Sequence, residues 1–166
     1  MDAEALEIIG DLPQLVAIGI LMSVSLLIQA TVITSLQQVL ARLDPMLERN
    51  TGFFAQFGVL NLVVFCMVLM HASQMSVWAW FYWRHAGLPS LTSALYHSAL
   101  LLTTMDDGQG TLPKKWLVLG AAEGLTGWIM FSWSTSAMFS VISGLATKRQ
   151  THLARARASL NTRRPA

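Results

Sequence analysis

Charge is what this chain has least of. Of its 166 residues, 12% are Asp, Glu, Lys or Arg, where a soluble domain carries about a quarter. The few charges are also bunched. Residues 12–41 and 50–83 have none, and 116–147 has one, Glu123. Each run exceeds the ~20 apolar residues that cross a bilayer core. A soluble globular domain is thereby excluded, and three transmembrane helices are predicted. Cysteine is nearly absent too. The single Cys66 forms no intrachain disulfide and no metal cluster, and reads as a small packing residue. No P-loop, zinc spacing, Ser-His-Asp or Cys-His pattern occurs, so neither an enzyme nor a bound cofactor is expected. The second charge-free run has no basic residue before Arg84, which excludes an Arg-rich voltage sensor. Basic residues are missing at the start as well. Met1 to Asp11 carries Asp2, Glu4, Glu7 and Asp11 without Lys or Arg, unlike a secretory signal, and the first helix is expected to stay in the mature protein.

The basic residues that are present divide unequally. Arg42, Arg49, Lys148, Arg149, Arg155, Arg157, Arg163 and Arg164 fall on one side of the three runs, against Arg84, Lys114 and Lys115 on the other. Lys and Arg concentrate on the cytoplasmic side. The expectation is an outward N-terminus and a cytoplasmic tail. Three segments result: 1–52 with the first helix and an inner loop, 53–147 as a pore domain, and 148–166 as a basic tail. The first helix is expected from about Leu12 to Leu43, ended by Pro45, which disfavours helix at Asp44. The second runs from about Phe53 to Trp83 and closes on the aromatic belt Trp78, Trp80, Phe81, Tyr82 and Trp83. The third starts near Trp116. Past Lys148 the alternation of Arg with Ala, Gln, Ser and Asn can continue it for several turns, as a solvated tail or as a basic helix touching anionic lipid.

Between the second and third runs lies a different pattern. Gly87-Leu88-Pro89-Ser90 is a turn, with Ser90 or Thr92 as a helix cap and Pro89 helping to begin the helix. Leu91 to Thr104 follows, too short at roughly 21 Å to span, so a re-entrant helix is predicted. It delivers the chain to Thr103-Thr104-Met105-Asp106-Asp107-Gly108. Non-helical backbone at membrane depth must line water or be packed in protein, and two adjacent acids there point to work on ions. In a fourfold assembly Asp106 and Asp107 supply up to eight carboxylates. Rings of acids attract cations, and hard oxygens suit Ca²⁺ and Mg²⁺. Alternatively, one Asp turns away and caps loop N–H groups.

Other polar residues have plainer readings. Glu123, a lone acid inside the third helix, is expected to make a structural hydrogen bond rather than contact ions. Gly127 can serve as a close-packing site. His71 and Gln74, one turn apart, read as interhelical hydrogen bonders rather than metal ligands. His97 reads as a packed histidine.

The stretch from His71 to about Ile142 resembles bacterial members of the potassium-channel-like pore family, the two-transmembrane ion channel domain. The resemblance rests on Trp78-Ala79-Trp80-Phe81-Tyr82, Ala94-Leu95-Tyr96-His97-Ser98 and Thr103-Thr104. It continues in Ala122-Glu123-Gly124-Leu125-Thr126-Gly127 and Phe131-Ser132-Trp133-Ser134-Thr135. It implies an all-α homotetramer in the bacterial cell membrane, with the pore on the fourfold axis, the last helix lining it, and Glu123 bonding behind the filter or to a neighbouring subunit. It also makes Gly127, 19 residues after Gly108, a candidate gating hinge as an alternative to close packing. Membrane lipid is the other partner, and no nucleic acid is expected. The family's Thr-Val-Gly-Tyr-Gly-Asp filter is here Thr104-Met105-Asp106-Asp107-Gly108-Gln109. Only Thr104 and Gly108 keep their types. Loss of a glycine that tolerates positive φ, and of the packed aromatic, breaks the carbonyl ladder that selects potassium. The expected function is a tetrameric cation channel with an acidic filter, conducting or blocked by divalent cations. The alternatives are a non-selective monovalent channel for K⁺ and Na⁺, one with residual potassium selectivity, and a non-conducting membrane subunit of the same fold.

Overall fold

A computed structural model describes residues 12–49, 52–105, 112–113 and 116–161. Among them every regular element is a helix: α1 (Leu12–Arg49), α2 (Phe53–Phe81) with a π-turn over Tyr82–Ala86, α3 (Leu91–Leu102) and α4 (Leu117–Asn161). Three of the helices contain stretches long and apolar enough to cross a membrane, Pro13–Leu43, Phe54–Ala86 and Leu117–Ala154. In such segments the helix satisfies each backbone N–H and C=O within itself, which a hydrocarbon core demands. The chain reads as a membrane protein.

The boundaries differ from the sequence expectation in instructive places. Pro45 does not end α1, which runs on to Arg49. A proline in a helix strips the carbonyl four residues earlier of its partner. Here that residue is Ala41, which is exposed, so the cost is borne at the helix end rather than in the core. The aromatic run at the end of α2 is not a uniform belt. Trp78 and Tyr82 are fully buried, while Trp80 and Trp83 stay exposed; residues four apart share a face of the helix, and that face turns inward. Gly87 closes the π-turn in the left-handed region at φ 78°, where glycine carries no Cβ penalty. Ser90 caps α3, its Oγ accepting from Ser93 N–H at 3.1 Å. Residues 148–161 of the basic tail continue α4 as helix.

Two apolar cores lie towards opposite ends of the helices. Leu21, Trp78, Tyr82, Ala94, Leu101 and Leu119 belong to the first. Leu36, Val59, Val63 and Met67 form the second, against Met138, Val141 and Leu145 of α4. The helix α4 is the least enclosed. Only 11% of its apolar span is buried, against 22% for α1 and 28% for α2. Leu125, Trp128 and Phe139 stand out from it at 59%, 69% and 71% exposure, so one long face of α4 has no partner among the described residues.

Candidate functional site

The short helix α3 is held at its far end by an intimate contact with α4. Gly120, Gly124 and Gly127 line one stripe of α4 beneath it. A Cβ on Gly127 would stand 2.3 Å from the carbonyl oxygen of Leu102, and one on Gly124 would stand 3.4 Å from that of Leu101. Gly127 is therefore a close-packing site. Its lack of a side chain lets the last turn of α3 rest on the α4 backbone.

There α3 ends in two capping bonds. Thr104 N–H donates to Leu101 C=O at 3.0 Å and Met105 N–H to Leu100 C=O at 2.8 Å, the paired pattern of a Schellman cap. That pattern needs a left-handed residue, and Thr104 occupies it at φ 57°. A β-branched residue there is strained. Thr103 Oγ1 donates to Ala99 C=O at 2.6 Å. Met105 is largely exposed. Asp106, Asp107 and Gly108, the rest of the expected filter, lie outside the described residues.

Beside this end opens a groove of about 510 Å³ lined by Leu102, Thr103, Thr104, Trp128, Ser132 and Thr135, among others. Two of its hydroxyls are committed to the α4 backbone. Ser132 Oγ donates to Trp128 C=O and Thr135 Oγ1 to Phe131 C=O, each at 2.8 Å. Once the hydroxyl proton is committed to the backbone, the oxygen presents only lone pairs. The carboxyl end of α3, with its partial negative charge, meets the same groove. Its chemistry suits a cation or water.

Behind α3, on the side away from the groove, Glu123 is fully buried. Its two oxygens accept from two other helical elements: Oε2 from the Tyr82 hydroxyl at 2.6 Å and Oε1 from Ser98 Oγ at 2.5 Å. One carboxyl thus ties the end of α2, the middle of α3 and α4. Both partners belong to the same chain. The His97 ring packs edge-on to Tyr82, centroids 5.5 Å apart, as a buried histidine at 4% exposure.

A second polar cluster, near the middle of all three membrane-length helices, was only half visible in the sequence. Gln29 Nε2 donates to Ser134 Oγ at 3.0 Å, and Ser134 Oγ lies 3.2 Å from His71 Nε2. His71 Nδ1 lies 3.0 Å from Gln74 Oε1, and Gln74 Nε2 donates to Gln29 Oε1 at 2.9 Å. The four side chains form a closed ring of hydrogen bonds, every direction consistent with a neutral imidazole protonated at Nδ1. The remaining amide protons reach Met130 C=O and Ser25 C=O, both at 3.2 Å, so both glutamines are satisfied throughout. His71 and Gln74 meet the expectation of interhelical bonding. Gln29 and Ser134 did not stand out as their partners. The signal that could have found them was a glutamine in the middle of a charge-free run, where an unsatisfied amide is expensive.

Among the described residues no group of three or more His, Cys, Asp or Glu could hold a metal. No protein family, characterised protein or solved structure matches this chain.

Proposed function

We propose that this chain is one quarter of a tetrameric cation channel with an acidic filter, similar in plan to the two-transmembrane pore family. In this reading α3 is the re-entrant pore helix, Thr103 to Gly108 the filter, and α4 the pore-lining helix. Asp106 and Asp107 supply the carboxylate rings that bind Ca²⁺ or Mg²⁺, which permeate or block. K⁺ and Na⁺ pass without strict selection, because the carbonyl ladder is broken.

The observation that carries this reading is the groove where α3 ends. The 12 residues of α3 make a helix of about 18 Å, well short of a ~30 Å hydrocarbon core. Backbone leaving such a helix needs water or protein around it. The hydroxyls of Ser132 and Thr135, on the face of α4 that the other described residues leave bare, meet that of Thr103 at the end of α3. Four copies around an axis would cover Leu125, Trp128 and Phe139 and turn four grooves into one hydrated cavity. Glu123 then braces the pore helix from behind, and Gly127 fixes its depth.

The proposed setting is a bacterial cell membrane with the N-terminus and filter outside and the basic end within, from the Lys and Arg asymmetry. Two measurements test the proposal. Four chains of 18.3 kDa should give an assembly of about 73 kDa in mild detergent; cross-linking that stops at a dimer argues against it. Liposomes holding the purified protein should show cation flux, and electrically silent protein that is fully tetrameric would favour the non-conducting subunit.

A further inference from the structure

The basic end of the bundle carries a second groove, of about 430 Å³, between the first turns of α2 and the last apolar turns of α4. Its apolar lining is Leu60, Ile142, Leu145, Ala146 and Leu153, and its polar lining Gln56, Arg149 and Gln150. Arg149 is exposed at the point where the apolar span gives way to the basic tail. Across the α4 helix a neighbouring groove between α1, α2 and α4 ends on Lys148. Phe54 and Phe57, at 85% and 56% exposure, stand on α2 beside Gln56, as aromatic residues do at a membrane interface. This end of the chain also holds Arg42, Arg49, Arg155 and Arg157, against Asp44 and Glu48.

We propose that this groove seats an anionic phospholipid, with an acyl chain on Leu60, Leu145 and Ala146 and the headgroup phosphate at the Arg149 guanidinium. An apolar trough alone would take any lipid tail. The choice of an anionic one comes from the cation in its lining, the two amides beside it as donors to phosphate oxygens, and the excess of Lys and Arg in this part of the sequence. Its depth fits, because Gln56 stands in the first turn of the α2 span, which begins at Phe54, and Arg149 just past the charge-poor run 116–147 of α4. Lipid binding here does not require that the chain conduct ions, so its failure and a failure of conduction read separately.

The test is native mass spectrometry of the purified assembly from neutral detergent, titrated with phosphatidylglycerol or with phosphatidylcholine of the same acyl chains. Phosphatidylglycerol should be retained preferentially. Arg149→Gln, a change at an exposed residue, should weaken it about fivefold, the worth of one basic residue near an anionic surface. Ala146→Trp fills the groove with the charge kept and should remove the bound lipid. Arg84→Gln, at the opposite end, should change nothing. Equal retention of both lipids, or wild-type retention by both Arg149→Gln and Ala146→Trp, would overturn the site. Displacement of the lipid by inorganic phosphate would mean that the groove holds the anion alone. Cysteines at Leu60 and Ala146 that cross-link between neighbouring subunits would mean that protein, not lipid, fills it.

Discussion

Gln74 donates to Gln29 Oε1 at 2.9 Å, and both side chains are fully buried. This bond joins α1 to α2, and through Ser134 and His71 the ring extends to α4. The helix α1, which lies outside the stretch resembling the pore family, is thereby joined to the rest by specific bonds, where packing alone would allow it to slide. Gln29→Leu and Gln74→Leu should each destabilise the fold by about 1–2 kcal/mol, since each leaves a buried partner unsatisfied. The double variant should cost less than the sum, with a coupling of roughly 0.5–1.7 kcal/mol as for other interhelical bonds in membranes. A double-mutant cycle by thermal unfolding in detergent checks this, and strict additivity would show that the ring does not act as a unit.

Glu123 should be the costliest polar residue to truncate. Glu123→Ala removes the carboxylate acceptor shared by the Tyr82 and Ser98 hydroxyls, Ser98 Oγ keeping Met75 C=O at 3.1 Å, a loss of about 1–3 kcal/mol. Tyr82→Phe and Ser98→Ala each remove one donor and leave a carboxyl with one partner, so each should cost less. The same unfolding assay ranks the three. Glu123→Ala behaving like either single hydroxyl deletion would deny the bracing role.

Gly127 and Gly124 make a matched pair. A Cβ at Gly127 collides with the Leu102 backbone at 2.3 Å, while one at Gly124 meets Leu101 at 3.4 Å. Gly127→Ala should destabilise by about 1–3 kcal/mol through overpacking, and Gly124→Ala by much less. If the two variants unfold at the same temperature, α3 does not rest on α4 in this way.

Thr104 holds a left-handed backbone that favours glycine. Relief of that strain is worth about 1–2 kcal/mol, whereas the added freedom of glycine in the unfolded chain costs about 0.5–1 kcal/mol. Thr104→Gly should therefore be neutral or stabilising by up to about 1 kcal/mol in thermal unfolding. Clear destabilisation would mean that the threonine side chain contributes bonds that outweigh its strain.

How much of this could be read from the chain differs from one element to another. The three membrane-length helices were legible because a long apolar run without charge is poorly suited to water and well suited to a bilayer core. The cap of α3 was legible as Ser90 or Thr92, because a hydroxyl at the start of an apolar run readily caps it, and the bond from Ser93 N–H decides for Ser90. The run of α1 through Pro45 was not, because the penalty for a lost hydrogen bond depends on whether it falls in the core or at an exposed end. The ring of Gln29, His71, Gln74 and Ser134 was only partly legible. His71 and Gln74 are one turn apart and announce each other, while Gln29 and Ser134 are brought to them by helix packing that no local pattern encodes. Gly127 was legible as two alternatives, and the distance to Leu102 decides for packing. The acids Asp106 and Asp107 are known from the sequence alone.

Those acids carry the central claim. Four like-charged carboxylates near one axis repel, and a divalent cation offsets two charges where K⁺ offsets one. The most direct measurement is planar-bilayer current from the purified protein, with reversal potentials under K⁺, Na⁺, Ca²⁺ and Mg²⁺ gradients, for the native chain, Asp106→Asn, Asp107→Asn and the double variant. Micromolar to millimolar Ca²⁺ or Mg²⁺ should carry current or block the monovalent current. One of the two single changes should weaken that action more than the other, marking the ring that faces the ion, and acidification should mimic it. If divalent sensitivity and selectivity are the same in all four proteins, Asp106 and Asp107 do not face ions, and the acidic-filter channel is the wrong reading of this chain.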